Sequence, residues 1–535
     1  MDERPDNQPP EFAPRDLWAD DVALREAVLR EGAGPFANHL AAYARLAGDT
    51  LYTLSFDAHR DRPRLRTHDR FGTRIDRVEF HPNYHTLMRA AIENGVAGLS
   101  WRTPEPGAHV ARAALSYLHH QVEPGTSCPL TMTHAAVPAL AHAPALSEWR
   151  NKAAAPHYDP RELPIADKRG VTIGMGMTEK QGGSDVRANT TRAVALAGDG
   201  EYALTGHKWF FSAPMSDGFL VLAQAPGGLT CFLLPRRLAD GERNAFTLMR
   251  LKEKLGDWSN ASSEVEFQGA WAQRVGDEGR GVATILEMVM LTRLDCMLGS
   301  AAEMRMALAH ALHHARHRSA FGKGLVDQPL MRNVLADLAL EAEAALALSM
   351  RVARAVDAAG RDPAEAAFAR IATAIGKYWV CKRAPAFVNE AQECLGGAGY
   401  VEESILPRLY RQAPLNSIWE GSGNIQCLDV LRALQREPGS GEAFFAELDA
   451  ARGLHAVLDA EVARLRDATR APREAEARSL VERMALGLQA SVLLRSQAAC
   501  ADLFCRSRLA SAHGLAFGTL SASSDFETIL RRALP

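Results

Sequence analysis

The apolar residues of this chain change their period twice, and that change limits the folds it can adopt. Segments such as "GVATILEMVMLTRLDCMLGSAAEMRMALAHALHHARHR" and "HTLMRAAIENGVAG" place apolar residues at helical spacing. Between them, "RAVALAGDGEYALTGHKWFFS" and "FLVLAQAPGGLTCFLLP" have the short apolar runs and Gly-containing turns of strand hairpins. The sequence therefore predicts an α+β protein that is mainly α-helical and carries one small β domain.

The order of these segments predicts four domains. A helical N-terminal domain covers residues 1–170, a β domain with an antiparallel pattern covers 171–280, and a helical bundle covers 281–435. The stretch "QREPGSGEA" at 435–443 is typical of a linker, and a C-terminal helical extension follows over 440–535. Residues 1–18 are acidic and rich in Pro, which predicts a disordered arm.

Charge and cysteine content narrow the functional classes. The formal net charge of -3 argues against a chain-wide polyanion-binding surface, although a local patch is compatible with it. The start lacks the basic and apolar regions of a secretory signal, and no apolar run is long enough to span a bilayer. The 8 Cys are scattered without a CxxC pair, which favours reduced thiols. We therefore expect a cytoplasmic protein.

The stretch "MTEKQGGSDVRANTTR" is the first candidate binding segment. Thr178, Gly183 and Ser184 place hydroxyls and accessible backbone N–H groups close together. Such a loop suits the edge of a planar cofactor rich in heteroatoms, while a solvated loop between strands is the alternative. "GMGMTE" is not a dinucleotide fingerprint, because its Gly spacing is wrong and the β pattern is antiparallel.

The stretch "NSIWEGSGNIQ" contains a single carboxylate, Glu420, between Trp419 and a Gly-Ser-Gly turn. A partly buried carboxylate is a suitable general base near neutral pH. The alternative is a Glu beside a helix start, with Ser422 as the cap.

Two further segments complete the set. "RHRSAFGKGLVDQPL" places Arg318 before a Phe-Gly pair, and Arg suits a phosphate by bidentate donation. "ECLGGAGYVEE" ends a helix with three Gly that allow close approach of a ligand. The alternatives are an interhelical turn and an ordinary helix C-cap.

Together the four segments resemble the motifs of the acyl-CoA dehydrogenases: the TE-x-x-x-GSD loop, the R-x-x-FG segment, the GG-x-G turn and the Glu-Gly-Thr/Ser turn. They occur in that order, and the resemblance covers about residues 35 to 435. The resemblance implies a helical domain, a middle β domain and a four-helix bundle. "GMGMTEKQGGSDVRANTTRA", "GHKWFFS", "LPRLYR" and "NSIWEGSGNIQCLDVLRAL" are similar to the AidB branch of that family, whose members carry a DNA-binding C-terminal extension.

The resemblance implies a role for each matching position. It makes Glu420 the catalytic base and Arg293 the residue that steadies its loop, while Thr292 occupies the place where isovaleryl-type members keep their base. It implies FAD as cofactor and a homotetramer in which Arg318, Phe321 and Gln328 reach a neighbour's FAD. The positions matched to FAD binding are Met177, Thr178, Gly183, Ser184, Phe210, Phe211, Ser212, Arg318, Phe321, Gln328, Gly396, Gly397, Gly399, Ser422 and Asn424.

The branch resemblance implies a protein that binds double-stranded DNA and protects it from alkylation, within the adaptive response. The tail over 440–535 has twelve Arg, no Lys and twelve acidic residues, so its composition alone favours an oligomerisation bundle. By resemblance we expect DNA binding, with Arg432 as a candidate contact. Lys180-Gln181 replaces the usual Pro-Gly and Trp419 the usual Tyr, which predicts weak turnover of isovaleryl-type acyl-CoA.

Two alternative functions stay open: a metabolic dehydrogenase for short or branched acyl-CoA, and a flavin oxidase or monooxygenase. A metal site is not expected. His310, His313, His314 and His317 share one helical face, but no carboxylate or Cys accompanies them as a further ligand.

Overall fold

The structure, a computed structural model, describes residues 6–510 and 512–535. In these ranges the α-helices are α1 Val22–Arg30, α2 Ala37–Leu46, α3 Tyr52–Arg60, α4 Pro82–Glu93, α5 Leu99–Arg102, α6 Ala108–Val122, α7 Pro124–Leu140, α8 Ser147–Ala154, α9 Gly281–His317, α10 Pro329–Ala358, α11 Pro363–Glu393, α12 Leu406–Gln412, α13 Gly423–Arg436, α14 Pro438–Asp449, α15 Ala456–Arg470, α16 Ala477–Arg495, α17 Ala501–Phe504 and α18 Phe526–Ala533. The strands are β1 Arg64–His68, β2 Arg74–Glu79, β3 Ile173–Gly176, β4 Arg192–Ala195, β5 Glu201–Ser212, β6 Gly218–Ala225, β7 Gly228–Pro235, β8 Phe246–Leu251, β9 Ser262–Val275, β10 Ser319–Ala320 and β11 Lys323–Gly324.

The chain forms two compact units that are not consecutive along the sequence. Unit 1 contains Met1–Asp49, Glu105–Gln121 and Arg293–Pro535, and unit 2 contains Thr50–Pro104 and Val122–Thr292. The helices expected to form one N-terminal domain are therefore divided. Part of the reason is a buried ion pair in unit 1, which joins Arg112 of α6 to Asp295 of α9. Among the described residues, no helix is long and apolar enough to cross a membrane.

Unit 2 is built around a seven-stranded sheet of order β3-β6-β4-β5-β9-β7, with β8 paired to β9. Strand β6 also pairs with β7, so β4, β5, β6, β7 and β9 close into a ring. The predicted hairpins occur, and β6 and β7 meet at the Ala225–Gly228 pair. The expected antiparallel pattern is wrong at β3, which runs parallel to β6 and makes the sheet mixed. The parallel pairing joins strands distant in sequence, which local turn signals do not reveal.

A two-stranded ribbon, β1 and β2, lies in unit 2 where the sequence predicted only helices. Its turn is closed by Asp69, whose carboxylate accepts the backbone N–H groups of Phe71 at 2.8 Å and Thr73 at 2.9 Å. On β1, exposed Arg side chains alternate with half-buried residues. This alternation is short and strongly charged, and helical patterns lie on both sides of it. The sequence alone therefore does not identify it as a strand.

The expected disordered arm differs from the structure at residues 6–18, and residues 1–5 lie outside the described residues. Within unit 1, the Asn7 side chain bonds both the N–H and the carbonyl of Ser319, at 2.7 and 2.9 Å. The Pro10 carbonyl lies 2.8 Å from Nε2 of His313, and the Phe12 ring packs edge-on against His310 with centroids 4.5 Å apart. Specific contacts therefore order this segment despite its polar composition.

The C-terminal extension belongs to unit 1 and continues directly from the bundle. The predicted linker is wrong: α13 ends at Arg436, and α14 begins at Pro438 after the single residue Glu437. Proline is favoured at the first helical position because its missing N–H is not needed there, so the Pro-Gly pair starts a helix. Buried ion pairs hold the extension to the bundle, for example Arg351–Glu447 at 2.8 Å.

Candidate active site

Glu420 lies on a sharp turn of unit 1 between the short 3-10 helix Leu415–Ser417 and α13. Its φ of +57° is unusual for a residue with a side chain. Two side chains hold the turn through its carbonyls. The Lys377 ammonium donates to the carbonyls of Trp419 at 2.7 Å and Gly421 at 2.5 Å. Gln426 Nε2 donates to the carbonyls of Glu420 at 3.0 Å and Gly421 at 2.8 Å.

Arg293, the residue expected to stabilise this turn, contacts it and belongs to a set of paired charges. Arg293 Nε donates to the Glu420 carbonyl at 3.1 Å, and its Nη1 lies 2.6 Å from Asp429 of α13. Arg370 of α11 also binds Asp429, at 2.8 Å. Burial raises the pKa of the Asp429 carboxyl, but Arg293 and Arg370 outweigh that effect and the net pKa is lowered. Asp429 therefore stays charged and fixes Arg293.

Thr292 precedes Arg293 on α9 and is buried. Its hydroxyl donates to the Val289 carbonyl at 3.0 Å. A threonine hydroxyl is not a base at neutral pH, so Thr292 does not supply a general base at this position.

In unit 2, the Thr178–Ser184 loop is anchored by a fully buried ion pair. Lys208 Nζ lies 2.9 Å from Glu179 Oε1 and donates to the Leu222 carbonyl at 2.7 Å. The Glu179 carboxylate also accepts the backbone N–H of Thr190 at 2.7 Å. Burial raises the pKa of Glu179, but Lys208 and these hydrogen bonds reverse the shift and lower it to about 2. The Glu179 carboxylate therefore stays ionised at neutral pH, and its contacts fix the position of the loop.

The loop itself presents hydroxyls and backbone on its surface. The Thr178 carbonyl accepts the N–H of Trp209 at 2.8 Å, which ties the loop to β5. A Cβ on Gly183 would lie 2.3 Å from the Thr178 hydroxyl, so only glycine lets the loop fold back this closely. Ser184 is exposed, Thr178 and Met177 are half-buried, and the Met177 carbonyl accepts Asn189 Nδ2 at 2.9 Å.

The three predicted cofactor residues on strand β5 differ in their exposure to solvent. Phe210 is 53% exposed and Ser212 is half-buried, whereas Phe211 is fully buried in the sheet core. The Phe211 ring packs on Phe219 with centroids 4.2 Å apart. The Phe211 side chain therefore points into the sheet core and away from the face that carries Phe210, because successive side chains of a strand point to opposite faces. Lys252 Nζ lies 3.6 Å from the centroid of the Trp209 ring.

In unit 1 the Arg-x-x-Phe-Gly segment forms a tight hairpin between β10 and β11. Phe321 and Gly322 occupy its tip with φ of +53° and +73°, and Phe321 is fully exposed. Arg318 donates to the Asn7 carbonyl at 2.7 Å, and Gln328 Nε2 to the Ala320 carbonyl at 3.0 Å. The hairpin thus holds an aromatic ring out from the surface of the chain.

The three-glycine turn of unit 1 is a short 3-10 segment, Gly396–Gly399. A Cβ on Gly396 or Gly397 would meet no heavy atom within 4 Å, so this surface is open to a ligand. A Cβ on Gly399 would lie 2.3 Å from the Gln392 carbonyl oxygen, so Gly399 serves close packing.

Ser422 and Asn424, at the start of α13, are exposed beside the Glu420 turn. Arg432 is exposed on the same helix, two to three turns further on. Unit 1 therefore brings together Glu420, Arg293, Ser422 and Asn424, and unit 2 brings together the Thr178 loop and the exposed side of β5.

Sequence reasoning missed Lys377 and the Glu179–Lys208 pair. In "ATAIGKYWVC" Lys377 is the one charge in an apolar helical run, which is a signal for a buried lysine with a structural partner. The pairing of Glu179 with Lys208 joins positions 29 apart and depends on the sheet register. No group of three or more His, Cys, Asp or Glu side chains in the described part of the chain could hold a metal ion.

Each unit has features that suit part of an FAD molecule. In unit 2, the Thr178 loop offers hydroxyls and a close-folded glycine backbone, and Phe210 offers an exposed aromatic face. In unit 1, Gly396 and Gly397 leave room for a ligand. The polar side chains of Ser422 and Asn424 are exposed at a helix N-terminus, where anionic groups are favoured.

Comparison with known proteins agrees with this geometry. The sequence matches the family "Adaptive response protein AidB N-terminal domain" over residues 7–160, "Acyl-CoA dehydrogenase, middle domain" over 174–270 and "Acyl-CoA dehydrogenase, C-terminal domain" over 279–435. It is 48% identical to AidB of Escherichia coli (strain K12) over 516 residues, which cover 95% of each chain. It is 33% identical to acyl-CoA dehydrogenase family member 11 of Caenorhabditis elegans, over 71% of this chain and 63% of that protein.

Solved structures give the same result. The chain resembles Caenorhabditis elegans ACDH-11 in complex with C11-CoA, with a TM-score of 0.84 and 25% identity over 100% of this chain and 93% of that chain. Its fold also resembles a glutaryl-CoA dehydrogenase from Mycobacterium smegmatis in complex with FADH2, with a TM-score of 0.61 and 18% identity over 79% of this chain and 98% of that chain.

Proposed function

Because the chain belongs to the acyl-CoA dehydrogenase family, in its AidB branch, and is an FAD-dependent oxidoreductase of that type, we propose that Glu420 is its catalytic base. The observation that carries the proposal is the Glu420 turn. A strained backbone conformation at +57° is held by Lys377, Gln426 and Arg293. Strain of this kind costs about 1–3 kcal/mol and is retained mainly at functional sites.

The proposed reaction removes a proton from the α-carbon and a hydride from the β-carbon of an acyl thioester, leaving a C=C bond. FAD, when bound, accepts the hydride. The Glu420 carboxylate accepts the α-proton, and the fixed turn keeps that carboxylate in one place while it does so. Hydrogen bonds to the thioester carbonyl would acidify the α C–H and assist the transfer. A short or branched, isovaleryl-type acyl group is the proposed substrate.

The test is anaerobic titration of the purified yellow protein with short, branched and long acyl-CoA thioesters, followed by the visible flavin band. We expect at least one short or branched thioester to bleach the band, slowly if turnover is weak. Bound FAD that no thioester bleaches would contradict the proposal. Peroxide formed with a substrate in air, without transfer to an external acceptor, would instead identify an oxidase.

We propose double-stranded DNA as a second partner, with protection of that DNA from alkylation, on the strength of the adaptive-response family match over residues 7–160. Few arginine side chains of the C-terminal extension are free to bind DNA phosphates. Of its twelve arginines, all but Arg478 form an ion pair with a carboxylate in the described residues. Arg432 and Arg436, at the end of α13, are exposed and form no such pair there, so they are the proposed DNA contacts.

A gel shift with duplex DNA at increasing salt tests this second function. Neutralising Arg432 and Arg436 to Gln should weaken binding and lower its salt dependence, because each phosphate contact releases counterions. The matched control is Arg473→Gln, an exposed arginine that is already paired with Glu476. If the wild type, the Arg432 and Arg436 variant and Arg473→Gln bind DNA equally, Arg432 and Arg436 do not contact it. If none of the three proteins binds DNA, the proposed DNA function is wrong.

We also propose that the protein is a homotetramer and is located in the cytoplasm. A homotetramer would cover Phe321, whose ring is otherwise fully exposed at the hairpin tip. A cytoplasmic location agrees with eight cysteines that are all buried and unbridged.

A further inference from the structure

Unit 2 contains a cavity of about 620 Å³ that the candidate active site does not use. It lies at the start of β3, next to Thr172, whereas the Thr178 loop follows the other end of that strand. Its bottom is formed by buried side chains such as Tyr84 and Met88 of α4, and its mouth by exposed ones such as Arg77. Sites for small molecules have volumes of about 300–1,000 Å³, so this cavity is large enough for a ligand.

Two buried side chains that carry hydroxyls line this cavity. Tyr84 is 5% exposed and Ser216 is 3% exposed. Neither hydroxyl forms a hydrogen bond with another described residue, and the same holds for the half-buried hydroxyl of Thr172. Buried polar groups are almost always hydrogen-bonded. These three hydroxyls therefore need a partner that the described part of the chain does not supply.

A tyrosine–histidine pair adds further polar groups to the cavity. The Tyr158 hydroxyl lies 2.8 Å from Nδ1 of His85, and Nε2 of that ring forms no hydrogen bond within the described ranges. Burial and the nearby Arg89 lower the pKa of His85, so its ring is neutral at pH 7. If Tyr158 donates to Nδ1, then Nε2 is a donor and the tyrosine oxygen can accept; if Nδ1 donates, these roles are exchanged. In both cases the pair offers a ligand one donor and one acceptor.

The mouth of the cavity has an excess of positive charge. Three arginines share the single carboxylate of Glu162: Arg77 at 3.3 Å, Arg236 at 3.1 Å and Arg237 at 3.0 Å. Arg236 and Arg237 lower the pKa of Glu162 despite its burial, so the carboxylate is charged and balances one of the three cations. The Nε of Arg237 is buried and has no hydrogen-bond partner among the described residues. The group can therefore accept an anion.

The size of this excess indicates which anion fits. The other charged side chains that line the cavity are paired one to one: Lys168–Asp217 and Arg161–Asp159 at 2.7 Å, and Glu79–Arg66 at 3.5 Å. Two positive charges thus remain unbalanced around Glu162. A phosphate monoester carries a charge of about −1.5 to −2 at pH 7, which matches this excess better than the single charge of a carboxylate. Arginine also donates to phosphate oxygens in a bidentate manner.

We propose that this cavity binds a nucleoside monophosphate, at a site separate from those for FAD and the acyl thioester. The heteroaromatic ring lies among the aromatic side chains of the bottom, where its polar edge meets the donor and the acceptor of the Tyr158–His85 pair. The phosphate lies at the mouth, beside Arg77 and Arg237. The three unpartnered hydroxyls bond the ribose or the polar atoms of the ring. This function goes beyond acyl-CoA oxidation and depends neither on Glu420 nor on DNA.

The test is isothermal titration calorimetry of the full-length FAD-loaded protein with AMP, GMP, CMP and UMP. We expect at least one of them to bind with one molecule per chain. The corresponding nucleoside, which lacks the phosphate, should bind at least about tenfold more weakly, because the contacts with arginine are lost. Benzoate, an aromatic carboxylate with one negative charge, should also bind more weakly than the nucleotide.

Substitutions then locate the nucleotide in the cavity. Ser216→Ala and Tyr84→Phe remove hydroxyls that bond no described residue, so thermal unfolding should be unchanged while each variant binds the nucleotide about three- to tenfold more weakly. Arg237→Gln should weaken binding about ten- to hundredfold, because it removes a charge-assisted contact. The control Arg64→Gln removes an exposed arginine of unit 2 that pairs with Asp61 outside the cavity, and it should bind like the wild type.

Three results would overturn the inference. If none of the four nucleotides binds, the cavity is not a nucleotide site. If benzoate binds more tightly than every nucleotide, the ligand is an aromatic carboxylate. If a nucleotide binds but Ser216→Ala, Tyr84→Phe and Arg237→Gln bind it as tightly as the wild type, it occupies another site, and displacement by an acyl-CoA would identify that site as the one for the thioester.

Discussion

Replacing Lys377 by Met should reduce catalysis by loosening the Glu420 turn. Lys377 is 1% exposed, and its ammonium donates to two carbonyls, those of Trp419 and Gly421. The Gly421 carbonyl keeps a second donor, Gln426, at 2.8 Å, so the main loss falls on the Trp419 carbonyl. A hydrogen bond to a charged group contributes about 1.5–3 kcal/mol, and removing a buried charge offsets part of the loss. We therefore expect destabilisation of about 2 kcal/mol.

The effect on rate should be larger than the effect on stability. Without Lys377 the strained conformation at Glu420 can relax, and a shift of about 1 Å in a catalytic group can lower kcat about a hundredfold. Stopped-flow flavin reduction at saturating acyl-CoA measures this rate, and urea unfolding measures the stability. The control Lys168→Met removes another buried lysine, one that donates to the Asp159 and Arg161 carbonyls, and should lower stability without the fall in kcat. An unchanged flavin reduction rate in Lys377→Met would refute the reasoning.

Two further predictions follow from the packing of the site. Glu179 has a pKa of about 2, below its ordinary value near 4.5, so it contributes stability above pH 4.5 that is lost as the pH falls toward 2. That difference corresponds to about 3 kcal/mol, and the stability gap between wild type and Glu179→Gln in urea unfolding should shrink over this window; a gap that is constant from pH 7 to 2.5 would contradict it. Gly399→Ala should cost about 1–3 kcal/mol because its Cβ would meet the Gln392 carbonyl, whereas Gly397→Ala, which meets nothing within 4 Å, should melt like the wild type.

The pattern of residues within short segments predicts much of the fold and of the candidate site. The β5, β6, β7 and β9 strands carry their own turn residues, and the turn at Glu420 is marked by the glycines that follow it. These features depend on neighbours within a few residues, which is the range over which periodicity and turn chemistry act.

The remaining features depend on contacts between distant residues. The parallel pairing of β3 with β6, the burial of Phe211 and the Glu179–Lys208 pair are set by sheet register, which a single strand does not encode. Pro438 lies in the predicted linker because Pro and Gly often mark loops, but proline also suits the first position of a helix, and the sequence alone does not decide between these two roles.

The role of Glu420 can be measured most directly by exchange at the substrate α-carbon. Wild-type protein and Glu420→Gln, both with FAD bound, are incubated anaerobically in D2O with the acyl-CoA that best bleaches the flavin, and deuterium in the recovered thioester and product is read by mass spectrometry. We expect α-deuteration and flavin bleaching in the wild type, and loss of both in Glu420→Gln with FAD retained. Exchange and bleaching at the wild-type rate in Glu420→Gln would show that another group removes the proton, and the central assignment would be wrong.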